Sequence, residues 1–335
     1  MRKNDLKKHD SVVSGLIGQA VGDAFGVPVE FMSRKEVREL NLQDMAGCDC
    51  GLTFESRWGD MIPAGAWSDD TSMTVAAMAS IVSKGGWIDY DDIMRQFMMW
   101  WIRGRYTSLD FPFGLGTNVG CALERFVKGV PALECGGKDF MDNGNGALMR
   151  IFPFAMYCIK KGYRDGDALT LIRQAAGITH GHEINAMSCW LYTLFLRECL
   201  RTGDPVLSYR TVFRTGSAGY SQLFSEEAVR AHALLLENDM EAEAFDPDRI
   251  PESGYVVDSL SVAVYSILKT DNYEDAVKMA VNFGYDTDTN AAITGSIAGA
   301  MYGMEQIPAR WLSYLKKADE LTELGERFSE CIVRK

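Results

Sequence analysis

Apolar side chains recur along this chain three and four residues apart, the spacing of a helix that buries one face. In residues 71–82, Met73, Ala76, Ala77, Ser80 and Ile81 form one small-to-apolar stripe. The same spacing predicts helices over residues 91–102, 118–127, 183–200, 256–268, 273–281 and 311–321. Runs that alternate polar and apolar positions are scarce. Turn residues fall between the stripes, as in Gly85-Gly86, Gly114-Leu115-Gly116, Cys135-Gly136-Gly137 and Asn143-Gly144-Asn145-Gly146. The pattern predicts an all-α globular fold. No Pro/Gly/Ser-rich linker, solenoid repeat or low-complexity run divides the chain, so a single domain over residues 1–335 is expected.

Two predicted helices carry glycine at every fourth position: Gly18, Gly22 and Gly26 in the first, Gly295, Gly299 and Gly303 in the second. An interior glycine costs a helix roughly 0.5–1 kcal/mol against alanine. Close approach of another backbone to the smooth face offsets that cost, so both helices are expected to be central and tightly packed, with each other as one arrangement.

The hydrophobic fraction of 47% is enough to build a large core. A net charge of −12 argues against a general nucleic-acid footprint. An acidic protein that binds an anion needs metal ions, helix N-termini or backbone amides. The charged N-terminus leads into no signal-like apolar stretch. Apolar runs such as residues 187–196 are too short to cross a bilayer. Eight irregularly placed cysteines read as reduced thiols of a cytoplasmic protein, and the close pair Cys48 and Cys50 lacks partners for a zinc site.

Three acidic segments stand apart. Glu30 follows the first glycine-rich helix. Ser68-Asp69-Asp70-Thr71 opens the 71–82 stripe, and Asp286-Thr287-Asp288-Thr289 opens the second glycine-rich helix. Each has an ordinary reading, because Ser68 suits an N-cap and aspartates suit a first helical turn. Together they offer five carboxylates with flanking hydroxyls. Such a cluster needs compensation, and magnesium favours carboxylate, hydroxyl and water oxygens.

Gly18-Gln19-Ala20-Val21-Gly22-Asp23, Trp67-Ser68-Asp69-Asp70-Thr71, the run from Asn143 through Gly146 to Arg150, Thr179-His180-Gly181-His182 and Asp286-Thr287-Asp288-Thr289 follow in this order. The ordered set resembles the ADP-ribosylglycohydrolase family, which includes the dinitrogenase reductase-activating glycohydrolases and crystallin-like relatives. The likeness runs from about residue 11 to 303, with C-terminal helices continuing to about 332. It implies a compact orthogonal helical bundle with two Mg²⁺ ions, Mn²⁺ being an alternative. By that resemblance Ser68, Asp69, Asp70 and Asp288 hold one ion. Glu30, Asp286, Asp288 and Thr289 hold the other, so Asp288 bridges. Glu30, Asp69 and Asp288 become the candidate catalytic residues, with Glu30 as general acid, general base or displaceable ligand. Many relatives carry a small or acidic residue where this chain has Tyr285, which bears on the substrate more than on the metals.

The implied reaction is hydrolysis of the bond between the distal ribose of ADP-ribose and an acceptor, protein arginine first among them. The partners would be an ADP-ribosylated protein, ADP-ribose as product and an ADP-ribosylating transferase or toxin. Candidate substrate contacts are the loop Asn143, Gly144, Asn145 and Gly146, whose glycines allow close approach to a pyrophosphate, the loop Gly114 and Gly116, and His180 and Tyr255. The Gly114 loop equally suits plain helix entry and Tyr255 equally suits the core, whereas the asparagine loop, which matches the family's, reads as a binding loop. His182 reads as a cap, and Asp23 as a residue that holds a loop by hydrogen bonds. An ADP-ribose-binding or toxin-neutralising relative without turnover is the alternative. An all-α prenyl-chain enzyme fits less well, because its acidic residues recur four apart on a helix face and Met73 and Thr74 are not acidic.

Overall fold

A computed structural model describes residues 10–46 and 62–333; the Cys48 and Cys50 reading lies outside them. The described residues are helical with no sheet. The helices that shape the site are α1 (Ser11–Gly26), α2 (Asp69–Ser83), α3 (Tyr90–Arg103), α4 (Thr117–Val127), α5 (Glu183–Thr202), α6 (Val256–Leu268), α7 (Tyr273–Val281), α8 (Thr287–Tyr302) and α9 (Ala318–Val333). A contiguous apolar core runs from Val12 of α1 to Ile332 of α9.

α1 and α8 cross the middle of this core as an antiparallel pair. A Cβ added to Gly18 would lie 2.3 Å from the carbonyl oxygen of Gly295, and one on Gly22 would lie 2.1 Å from that of Ala291. One on Gly299 would lie 2.3 Å from the carbonyl oxygen of Ser14. The two backbones therefore touch along the smooth faces expected from the sequence. The pairing places the C-terminal end of α1 against the N-terminal end of α8. Thr287 Oγ1 donates to the Gly26 carbonyl at 2.8 Å, and Tyr273 of α7 closes the flank by donating to the Gly18 carbonyl at 2.6 Å.

α1 also anchors α2. The buried Gln19 amide donates to the carbonyls of Asp70 (3.1 Å) and Met149 (2.8 Å) and to Thr74 Oγ1 (2.8 Å). Asp23, fully buried, accepts from the Ser68 amide (2.9 Å), the Thr71 amide (3.0 Å) and Thr71 Oγ1 (2.6 Å). Three helix ends from distant parts of the chain thus meet at one point.

Three local expectations are corrected. Residues 311–321 are not one helix: a short turn of helix, Ala309–Leu312, ends before Lys317, which takes a positive φ of 55°, and α9 begins at Ala318. The sequence after the asparagine loop reads as one helical run over residues 147–157, but it divides into a 3₁₀ segment, Asn145–Arg150, and an α-helix, Phe152–Lys161, as Pro153 fits only a first turn. Ser11–Val29 is long and apolar enough to cross a membrane, contrary to the expectation of short runs, but all of it is buried inside the protein. The thiols of Cys121, Cys135, Cys158, Cys189, Cys199 and Cys331 are all free.

The close helix pair gives a direct test. Gly22→Ala is expected to lower stability by about 1–3 kcal/mol, as overpacked cores do. Gly166→Ala, where an added Cβ meets nothing within 4 Å, should leave the thermal midpoint unchanged or slightly raised. Equal midpoints for the two variants would refute the backbone contact.

Candidate active site

The N-terminal ends of α2 and α8 and the segment after α1 open onto one cleft of about 310 Å³. Its floor carries Glu30, Asp69, Asp70, Asp286, Asp288 and Thr289. Local structure explains how the acids arrive there. Ser68 adopts extended backbone and caps α2, its Oγ accepting from the Asp70 amide at 3.4 Å. Asp286 starts α8 without using its side chain as a cap, which leaves the carboxylate free to turn into the cleft. Glu30 ends the short Val27–Val29 turn directly after α1.

Glu30, Asp286 and Asp288 each place a carboxylate oxygen within 4.8 Å of the other two. Thr289 Oγ1 reaches Asp70 Oδ2 at 3.3 Å and links this trio to the second acidic segment. Asp69 lines the cleft beneath Gly114. Ser68 lies behind the lining, where its Oγ donates to Asp70 Oδ2 at 3.1 Å. Asp70 Oδ1 is buried and accepts no hydrogen bond. Among the described residues, none that lines the cleft is lysine or arginine.

The cluster is electrostatically costly. Burial raises the pKa of Asp69, Asp70 and Asp288 well above the usual carboxylate range, and their acidic neighbours raise it further. Asp286 is also raised by burial, against the opposing hydrogen bond from Asn145. Asp23 is pushed up to about 6, again by burial.

The loops around the floor divide into lining and support. Gly114, at a φ of 88°, passes so close to Asp69 that an added Cβ would lie 2.2 Å from Oδ1, so glycine there lets the chain cover the carboxylate. Gly116 lines the cleft and precedes α4. Gly144, Asn145 and Gly146 also line it, but the Asn145 amide is taken by the Gly254 carbonyl at 3.0 Å. The Asn145 side chain donates to Asp286 Oδ2 (2.8 Å) and Ser259 Oγ (2.9 Å). Asn145 therefore orients an acid, a role that its place in a glycine loop did not suggest. Asn143 is buried outside the lining, with its amide on the Phe140 carbonyl and its backbone carbonyl on the Val256 amide. Tyr255 also lies outside it, bridged by backbone to Gly144, while its neighbour Gly254 lines the cleft.

His180 lines the cleft, with its Nδ1 against Thr179 Oγ1 at 2.9 Å. Arg150, fully buried, donates to the same hydroxyl at 2.6 Å. Burial, with Arg150 nearby, lowers the His180 pKa to about 3, so the ring is neutral. His182 caps α5 by accepting from the Ile184 amide at 3.2 Å. Asn118, at the end of the Gly114 loop, lines the cleft as well, whereas sequence reasoning missed Phe31, Met141 and Met149 in the lining. Only Phe31, directly after Glu30, carried a local signal.

A family description, ADP-ribosylglycohydrolase, matches residues 4–335. The chain is 30% identical over 321 residues to the ADP-ribosylarginine hydrolase Tri1 of Serratia proteamaculans (strain 568), covering 95% of this chain and 78% of that one. It is 28% identical over 308 residues to the ADP-ribosyl-[dinitrogen reductase] glycohydrolase of Rhodospirillum rubrum, covering 92% and 90%. A solved structure titled "ADP-ribosylglycohydrolase-related protein complex" superposes with a TM-score of 0.75 at 26% identity, covering 97% of this chain and 98% of that one.

The raised acid pKa values set a pH dependence for the metal-free protein. A carboxyl whose pKa rises on folding favours the folded state most below its unfolded value and loses that contribution as pH rises through the folded one. Asp288→Asn keeps the acceptor for the Thr289 amide and removes one charge. In chelator it should melt roughly 2 °C higher than wild type at pH 7.5 and at the same temperature near pH 4. Calorimetry that shows no gain at the higher pH would contradict the crowding of charge.

Proposed function

The chain belongs to the ADP-ribosylglycohydrolase family, and from that premise we propose that it hydrolyses the N-glycosidic bond between ADP-ribose and a protein arginine, with two magnesium ions in the acidic cleft. Membership makes it a glycohydrolase. The arginine acceptor takes support from its similarity to a hydrolase named for ADP-ribosylarginine. The observation that carries the metal reading is the cleft floor. Among the described residues, five carboxylates share it with no lysine or arginine in the lining, and Asp70 Oδ1 is buried without a donor. A substrate with a pyrophosphate would be repelled from such a floor unless divalent cations compensated it.

Glu30, Asp286, Asp288 and Thr289 would hold one ion, and Ser68, Asp69, Asp70 and Asp288 the other, with manganese as a substitute. Bound there, the ions supply positive charge that offsets the carboxylates and acidifies water. The side chains do the rest. Asn145 fixes the rotamer of Asp286. Asp23 and Gln19 hold the first turn of α2 so that Asp69 and Asp70 face the cleft. Glu30, half-buried beside Asp286 and Asp288, would move a proton to or from water at the anomeric carbon. The neighbouring carboxylates favour an oxocarbenium-like transition state. Gly144, Gly146 and the neutral His180 offer a close, uncharged surface for the ADP portion. The setting would be the cytoplasm, where a transferase or toxin attaches the group that this chain removes.

Release of ADP-ribose from an ADP-ribosylated arginine protein, followed by mass spectrometry, should require Mg²⁺ and stop in chelator. Asp288→Ala should lower turnover by roughly a thousandfold, the scale of metal-assisted charge stabilisation, and lower the bound metal count. Binding of ADP-ribose without any turnover by wild type would favour the non-hydrolytic alternative.

A further inference from the structure

Two aromatic rings flank the acids without a part in the site described so far. Phe31 follows Glu30, and Tyr285 precedes Asp286; both line the cleft. Both adopt positive φ, 67° and 62°. Bulky residues avoid that region because the Cβ crowds the neighbouring carbonyl. The surroundings impose it. The Phe31 amide donates to the Tyr285 carbonyl at 2.5 Å, and the Tyr285 amide donates to the Met32 carbonyl at 2.6 Å. The buried Arg34 reinforces the tie, with Nε on the Phe283 carbonyl at 3.1 Å and its guanidinium 4.9 Å above the Phe283 ring. A Cβ on Gly284 would lie 2.3 Å from the Arg34 backbone nitrogen, so the two segments touch there.

This framework holds the rings of Phe31 and Tyr285 edge to face, with centroids 5.8 Å apart at 84°. It does not bury them: Phe31 is 43% exposed and Tyr285 is 42% exposed. Core packing therefore does not account for two strained aromatics at the rim of an acidic cleft. A planar cation does. Guanidinium is weakly hydrated and stacks on aromatic faces. With five carboxylates against two divalent ions the floor keeps a net negative charge, which also draws a cation to the rim. A neutral hydroxyl acceptor or a phosphate gains from neither.

We infer that Phe31 and Tyr285 form an acceptor-side clamp that selects a guanidinium-linked conjugate by cation–π contact. The assignment rests on the arginine reading above, and the experiment separates the two. The probe is ADP-ribosylated agmatine, a small guanidine conjugate, with an ADP-ribosylated serine peptide as the uncharged comparison. Phe31→Gly and Tyr285→Gly remove the rings and relax the positive φ, so neither threatens folding through strain. Each should raise KM for the agmatine conjugate by roughly three- to thirtyfold, with kcat and the calorimetric Kd for free ADP-ribose within about twofold of wild type. Tyr285→Phe keeps a ring and should restore a KM close to wild type, and any turnover of the serine peptide should not respond to the substitutions. Wild type that cuts the agmatine conjugate, with both glycine variants at unchanged KM, overturns the clamp alone. A KM rise matched by equal weakening of ADP-ribose also overturns it, since the rings would then serve the ADP portion. Wild type that cuts only the serine peptide overturns the arginine reading, and the clamp falls with it.

Discussion

The contact between two bare backbones at the centre of the molecule determines the rest of the structure. α1 and α8 approach so closely that a single methyl at Gly22 or Gly26 would collide with the facing main chain. At the end of this contact, a Cβ on Gly26 would lie 2.4 Å from the backbone of Asp288. Glycine there costs helix stability, but it sets the depth at which the acidic end of α8 meets the segment carrying Glu30. Larger residues along the seam would push the acids apart and open the floor of the cleft.

Around that seam the protein uses buried hydrogen bonds to hold the acidic groups and their turns in place. Gln19, Asp23 and Asn145 each spend buried polar atoms on the geometry of an acid or of the turn that carries it. Asp23, with three donors on its carboxylate, needs no ion. Asp70 is different, since one of its oxygens is buried with no donor at all. That contrast separates a supporting aspartate from one suited to a cation, although both are buried and both accept a hydrogen bond from Ser68. A folded chain tolerates the repulsion on the floor because the rest of the core, from α1 to α9, is large and apolar.

The rim follows a different logic. The floor is rigid through helix packing, whereas the rim is rigid through backbone pairing between two short segments in strained conformations. Strain maintained by surrounding contacts is common where side chains must face a ligand and not the core. The arrangement couples Glu30 to Asp286 through the main chain, so the position of one acid constrains the other.

Much of this was legible in the chain as a string. Helical period marked the long elements, because burial of one face leaves its imprint every three to four residues. Glycine at every fourth position marked the central pair, and the hydroxyl-flanked aspartates marked the floor. The break at Lys317 and the 3₁₀ segment at Asn145–Arg150 were not marked, since both depend on what the turn packs against. Nor was the exchange of roles in the asparagine loop, where Asn143 serves the fold and Asn145 orients Asp286 across 141 positions. Periodicity reports that a residue is buried, but not which distant group it meets. The sequence by itself determined the helices, the smooth seam and the acidic inventory; only the tertiary structure decided which acids share the floor, which polar atoms are already satisfied and which rings face the cleft, because those depend on contacts between residues far apart in the chain.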